Sequence, residues 1–260
     1  VSQHNHLVTA SYQLTLTEKK LLLACISKIN SFESISSETP FSFDMVEASE
    51  LFGFDMSNGG VVAAFQKAAL GLMSKIVINK DVENWEATTF AHGATYNHDT
   101  KTMSILFSSR IIPYLSDLQT AFTTYRLLHI GKLNSQHAVR LYELLVMYLG
   151  INYGKPCSKK IEVEEFKRLM NCVGLYESTF SMFRAKVIEV AVDQINAETD
   201  INVKVGYSKT KRFYTHISLD FSTKGEWKDA EKEFKQVLNK DQIQKIVNNA
   251  NFFQNYYSKY

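Results

Sequence analysis

Three features of the sequence predict an α+β fold of two tandem winged-helix domains, each a helix-turn-helix followed by a β-hairpin wing. Two long segments match at an offset of 118 positions. Each half reads in one order: helix, short strand, helix, longer helix, hairpin. The second half closes that order on a hairpin with a basic tip. Matching apolar positions at fixed spacing mark a repeated supersecondary unit, here an internal pseudo-repeat. Ser42–Ala48 falls on Lys160–Phe166, Leu51 on Leu169, and Phe65–Ala68 on Phe183–Lys186. Leu70, Leu72 and Met73 fall on Ile188, Val190 and Ala191, and Ile78–Asn79 on Ile195–Asn196 with a slip of one.

The elements of the first half follow from local chemistry. Thr15 and Glu18 have capping-box spacing, and Leu22, Cys25, Ile26 and Ile29 continue it as a helix to about Lys28. Residues 31–40 are a polar loop. Phe41–Phe43 is a short strand, and Val46–Phe52 a short helix ended by Gly53. Asp55–Asn58 carries turn and cap residues, and Val61–Ser74 is the longer helix. Ile76–Ile78 is a strand. Glu86–Ala91 and Thr102–Phe107 are strands around a turn at Asn97–Asp99, and a helix over about Ser109–Leu118 closes the half.

The second half repeats the order. Ser135–Leu149 is a helix stopping at Gly150, Lys160–Val163 a strand, and Glu164–Asn171 a short helix. Thr179–Ala197 is a long helix with Phe180, Phe183, Val187, Val190 and Ala191 on one face. Ile201–Gly206 and Phe213–Phe221 are strands joined by Tyr207–Arg212, a hairpin. The expected division is an N-terminal winged-helix domain over 1–130, a C-terminal one over 131–225 and a helical tail over 226–260. In the tail, Trp227, Phe234, Val237, Leu238, Ile243, Ile246 and Val247 suit amphipathic helices.

Composition narrows the function. The chain is 45% hydrophobic and 22% charged, ordinary for a soluble protein with a full core. No apolar run reaches the ~18 residues that span a bilayer, so no membrane partner is expected. The sequence opens at Val1 without a secretory signal, which leaves room for a preceding segment. Cys25, Cys157 and Cys172 are scattered, which fits a reducing cytoplasm and argues against a structural zinc. Net charge is +2 but unevenly placed: residues 1–130 carry 9 Lys/Arg against 12 Asp/Glu, and residues 131–225 carry 14 against 10. Lys204, Lys209, Lys211 and Arg212 share an acid-free stretch. A local basic patch on a near-neutral chain points to a defined polyanion site.

The second helix of a helix-turn-helix lies in the major groove with its first turns at the base edges. Here that helix begins with Ser178, Thr179, Ser181, Arg184 and Lys186. The acids Glu189, Asp193 and Glu198 lie further along, away from where phosphates would sit. A surface helix usually carries acids in its first turn, so basic residues there favour a DNA reader over a solvated face. Lys209, Lys211 and Arg212 on the wing suit the phosphate backbone or minor groove. In the first repeat Gln66 and Lys67 take the recognition positions with less charge, so weaker or different DNA contact is expected there.

Enzymatic signatures are missing. There is no phosphate-cradling Gly-x-x-x-x-Gly-Lys-Ser/Thr and no Gly-x-Ser-x-Gly. His4 and His6, with Tyr12, superficially resemble the metal histidines and nucleophile of rolling-circle nickases, but they lie at a polar chain start. His92 and His98 have no acidic ligand cluster and read as surface residues. The expectation is a DNA-binding protein that is not an enzyme and uses no cofactor and no metal. A winged-helix transcription regulator is the alternative, with a nickase behind it.

On these residues the chain resembles the initiator proteins of theta-replicating, iteron-containing plasmids. Asn5–Lys20 is similar to that family's first-helix signature, and Phe122–Tyr125 with His137–Leu145 to its inter-domain join. The run Arg-Leu-Tyr-Glu-Leu-Leu at 140–145 is the most specific piece. Phe183–Lys186, Val192–Asn196 and the basic wing are similar to its recognition helix and hairpin. The resemblance covers roughly residues 4–222. It implies binding to double-stranded origin DNA at tandem direct repeats, and melting of adjacent AT-rich DNA with the host replication initiator. It also implies recruitment of the host helicase, and homodimers that repress their own gene while monomers initiate. Arg184 and Lys186 fall on the family's basic base-reading positions. Ala185 departs from members with a third basic residue there.

Overall fold

The computed structural model describes residues 1–54, 60–80, 85–176 and 179–225. The expectations for Asp55–Asn58, Ser178 and the 226–260 tail lie outside the described residues. The chain opens with β1 (Ser2–His4) and α1 (Asn5–Thr9), then α2 (Leu16–Ile26). Thr15 caps α2 as predicted: its Oγ1 accepts from Glu18 N, and its own N donates to Glu18 Oε2 at 2.6 Å. Next come β2 (Pro40–Asp44), α3 (Met45–Phe52) and α4 (Gly60–Ser74). Asp44 accepts from the first-turn amides of α3, and Gly53 ends it at φ +71°, the left-handed conformation that only glycine adopts without steric cost.

β3 (Ile76–Lys80) pairs with β4 (Trp85–Thr89), and β5 (Ala91–Asn97) with β6 (Thr102–Phe107). The predicted single strand Glu86–Ala91 is therefore two, broken at the buried Phe90 and shared between two sheets. The helix predicted over Ser109–Leu118 does not form. Only one 3₁₀ turn forms, Ile112–Tyr114, with Pro113 removing a donor inside it.

β7 (Phe122–Thr124) and α5 (Leu127–Lys132) lead into the second half, which holds α6 (Gln136–Ile151), β8 (Cys157–Glu162) and α7 (Val163–Leu169). α6 runs through Gly150. Its stop is the pair Tyr153 and Gly154, both in the left-handed region at φ 55° and 72°. Then come α8 (Phe180–Phe183), a π-helical stretch over Arg184–Glu189, and α9 (Val190–Glu198). β9 (Ile201–Thr210) and β10 (Phe213–Thr223) make the last hairpin.

The repeat appears in the topology. The first unit's sheet has order β2-β6-β5 and the second β8-β10-β9, both antiparallel, each with the incoming strand on the far strand of the wing. β3–β4 is an extra hairpin inserted into the first unit, and β3 also bridges to Ser11. Ile78 therefore sits in a strand while Ile195 is buried in α9, so that part of the predicted match is not an equivalence.

One continuous core joins the two units. α6 is its spine, buried from Ala138 to Met147 and packed against β7, α1 and α9. Two of its buried residues are charged. Glu143 Oε1 accepts from Gln3 Nε2 (2.8 Å), Tyr125 Oη (2.5 Å) and Lys19 Nζ (2.9 Å). Arg140 donates to Leu169 O, Tyr12 Oη and Ala10 O at 2.7–3.0 Å. Burial pushes the Lys19 ammonium down, but Glu143 and Tyr12 overcome this and hold it above its ordinary range. The same carboxylate, after burial itself, pushes the Tyr125 phenol up. Charges taken from water persist only when paired and hydrogen-bonded. This cluster therefore ties the N-terminal arm and α2 to α6.

Candidate nucleic-acid interface

The helix from Phe180 to Glu198 presents its first turns at the surface, beside the β9–β10 hairpin. Thr179, Ser181 and Lys186 are exposed, as are Lys209, Lys211 and Arg212. Tyr207–Arg212, predicted as one loop, is mostly strand. The turn is only Lys211–Arg212, with Lys211 at φ 56°, and Lys209 pairs with Tyr214 across the ladder. The paired strands thus run further toward the tip than the sequence suggested.

An aromatic cluster joins helix and wing. Phe180 stacks on Tyr214, with ring centroids 4.2 Å apart and planes 18° apart, and meets Tyr207 edge-on at 5.7 Å. Lys209 Nζ lies 4.3 Å above the Tyr214 ring, and the Arg212 guanidinium 5.0 Å from the Phe213 ring. Stacked and edge-on pairs of this kind fix relative orientation beyond simple burial.

Arg184 is held at the same junction. Its Nε lies 2.9 Å from Glu189 Oε1, and its guanidinium carbon 5.4 Å from the Tyr207 ring centre. Burial pushes the Tyr207 phenol up to about 12, helped by the Glu189 carboxylate and opposed by Arg184. Sequence reasoning placed Glu189 beyond the reading surface and gave Tyr207, Phe180 and Tyr214 no part in it. The structure brings all four together with Arg184.

Burial explains how Glu189 arrives there. In α4, Phe65, Ala68, Ala69 and Leu72 point inward; in the second unit Phe183, Val187, Ile188 and Ala191 do. The first spacing is 3-1-3 and the second 4-1-3, so the second helix holds one extra residue. The π stretch absorbs it. The constant offset of 118 therefore fails beyond Phe183: Leu70 is 65% exposed where Ile188 is 0%, and Leu72 is 0% exposed where Val190 is 37%. In the corrected register Lys67 corresponds to Lys186, and Leu70 to Glu189. Gln66 and Lys67 are exposed on α4, and Leu70 offers no carboxylate where Glu189 stands.

The other residues weighed for chemistry lie elsewhere. His4 and His6 face each other edge-on at 4.8 Å, while Tyr12 is buried against Lys19 and Arg140. Among the described residues, no three His, Cys, Asp or Glu side chains converge as metal ligands would.

Two winged-helix units on one core, the second with an exposed cationic helix start and wing, define a tandem winged-helix protein. The chain belongs to the initiator replication protein family: the family model described as "Initiator Replication protein, WH1" matches residues 1–146, and "Initiator Rep protein, WH2" matches residues 162–221. It is similar to a replication initiation protein of Escherichia coli, 26% identical over 210 residues that cover 79% of this chain and 64% of the relative. The chain thus spans about two thirds of that relative's length. It is also similar to an uncharacterized 27.6 kDa protein of Escherichia coli, 24% identical over 241 residues, covering 84% of this chain and 93% of that protein. Among solved structures, the Pi initiator protein in complex with iteron DNA superposes with a TM-score of 0.71. Its identity is 20%, over 86% of this chain and 96% of that one, and the likeness is one of fold. Among the described residues, no helix is long and apolar enough to cross a membrane.

Proposed function

We propose that this protein is a sequence-specific, double-stranded DNA-binding initiator of plasmid replication that binds tandem direct repeats at the origin. The second unit reads base edges through Arg184 and Lys186, with Thr179 and Ser181 beside them. Lys209, Lys211 and Arg212 grip phosphates. α4 of the first unit, with Gln66 and Lys67, makes the weaker contact on a neighbouring groove. The units divide near residue 130. The observation that carries this reading is a helix start bearing the half-exposed Arg184 and the exposed Lys186, joined through Phe180 and Tyr214 to a wing with exposed Lys209, Lys211 and Arg212. Membership in an initiator family supports the biological role.

In this reading the protein is not an enzyme and needs no cofactor. It acts in the cytoplasm, opens adjacent AT-rich DNA with the host initiator, recruits the host helicase, and as a homodimer represses its own gene. Selection from a duplex library with a random core, followed by footprinting on the selected site, tests the DNA reading. Protection of repeated grooves on one face, spaced by whole helical turns, is expected. Binding with no selected sequence overturns it. Incubation with supercoiled DNA and Mg²⁺ or Mn²⁺ should leave both strands intact, and a DNA product covalently linked to tyrosine contradicts the non-enzymatic reading.

A further inference from the structure

We infer that the π-helical stretch Arg184–Glu189 is a positioning device: it places Glu189 against Arg184, and Glu189 with Tyr207 sets the guanidinium in the orientation that discriminates between bases. This rests on the reading of Arg184 as a base-reading residue.

At 3.6 residues per turn, positions five apart stand about 140° from each other around the axis. Arg and Glu at that spacing in an α-helix face different ways and do not pair. In a π-helix the hydrogen bond runs from i to i+5, so residues five apart lie one turn apart on the same side of the helix. Arg184 and Glu189 are five apart, span the π stretch from end to end, and pair at 2.9 Å. The extra residue between Phe183 and Val187 is what creates this geometry, and α4 lacks it.

The pair engages Nε. Bidentate recognition of guanine O6 and N7 uses a flat fork of two parallel N–H groups, and the two Nη groups on the other side of the guanidinium supply such a fork. Tyr207 lies against the guanidinium at 5.4 Å and is itself braced by Phe180 and, through it, Tyr214. The guanidinium is thus held from one edge by a carboxylate and on one side by a ring. An unheld arginine would lose rotamer freedom on binding and would as readily take a phosphate. A carboxylate on a DNA-facing surface repels phosphate, so Glu189 lowers sequence-independent affinity while favouring the one geometry it supports.

The test uses the full chain, a duplex carrying the site selected by the wild-type protein, and a scrambled duplex of equal length. Affinities for both are measured at one salt concentration, with a melting curve for each variant. Glu189→Ala should lower cognate affinity roughly three- to tenfold, the scale of one side chain losing its preorganisation. It should leave scrambled affinity unchanged or slightly tighter. Tyr207→Phe keeps the ring and should preserve the cognate-to-scrambled ratio, while Tyr207→Leu should lower it. In an Arg184→Ala background, Glu189→Ala should no longer change the ratio, because the two act through one contact.

The outcomes separate the inference from its premise. If Arg184→Ala weakens cognate and scrambled DNA equally, the base-reading assignment fails. If Arg184→Ala lowers the ratio but Glu189→Ala does not, base reading stands and the positioning role is overturned. If Glu189→Ala tightens both duplexes equally, Glu189 is only an electrostatic brake, and the inference is overturned again. Should Glu189→Ala melt early, Glu189→Gln keeps an acceptor for Nε and should hold most of the ratio; an unchanged melting curve with a lost ratio contradicts the account.

Discussion

α4 and the helix from Phe180 to Glu198 occupy the same place in two copies of one unit, yet one residue separates them. The first helix is regular, keeps a 3-1-3 inward spacing and exposes Ala63, Ala64, Gln66, Lys67 and Leu70. The second takes an extra residue into a π turn, and that turn couples Arg184 to Glu189. The comparison shows how a duplicated scaffold can keep its core while re-aiming its surface. Inward residues tolerate a one-residue insertion because a π turn restores their register, whereas outward residues acquire new neighbours.

The largest effect should come from the frame that carries both helices. Glu143 is buried and collects Lys19, Tyr125 and Gln3. Glu143→Ala leaves a buried ammonium without its partner and should cost about 3–5 kcal/mol in urea unfolding. A loss below about 1 kcal/mol would mean that the two units are not tied through α6. Gly71 sharpens the comparison next. A Cβ there would clash with the Glu18 carboxylate, and Glu18 is engaged by the α2 cap and by Lys75. Gly71→Ala should incur about 1–3 kcal/mol of overpacking, offset by about 1 kcal/mol of helix propensity. Val190, the corresponding position, is partly exposed, and Val190→Ala should change thermal stability by less than about 0.5 kcal/mol.

The wing predicts a different kind of change. Replacing Lys209, Lys211 and Arg212 by Ala should weaken cognate and random duplexes alike. It should also flatten the salt dependence by up to about 0.9 per lost phosphate contact. A selective loss at the cognate site would give the wing a reading role. The smallest effect concerns pH. Burial holds His137 below its ordinary value. Protons therefore bind the unfolded chain first as pH falls through the histidine range, and stability drops in that window. His137→Gln should reduce the loss of melting temperature between pH 7 and 5; an unchanged slope would assign it to other groups, such as His4, which burial also lowers.

What the sequence disclosed depended on how local the determining chemistry is. The capping box at Thr15, the Gly53 stop of α3 and the strand Thr102–Phe107 are set by neighbours in the chain, and all were legible. The split of Glu86–Ala91 between two sheets was not, because strand partners are chosen by tertiary packing. The helix expected over Ser109–Leu118 gave way to one turn at Pro113. The cations of the candidate interface were legible as residue types. Their organisation was not, since Glu189 reaches Arg184 only through the π turn, and Tyr207 only through the folded hairpin. A signal was present: the 4-1-3 spacing of Phe183, Val187, Ile188 and Ala191 against 3-1-3 in the first repeat.

The central claim is that the second helix, and not the first, reads the DNA sequence. It is tested most directly by measuring affinity for a panel of single-base substitutions across the selected site, with wild-type protein, Arg184→Ala and Lys67→Ala. Arg184→Ala should flatten the wild-type preference at one guanine by about 1–3 kcal/mol and leave the other positions as they were. Lys67→Ala should shift every duplex by a similar, small amount. A flattened base preference in Lys67→Ala, with the wild-type profile intact in Arg184→Ala, would contradict the account.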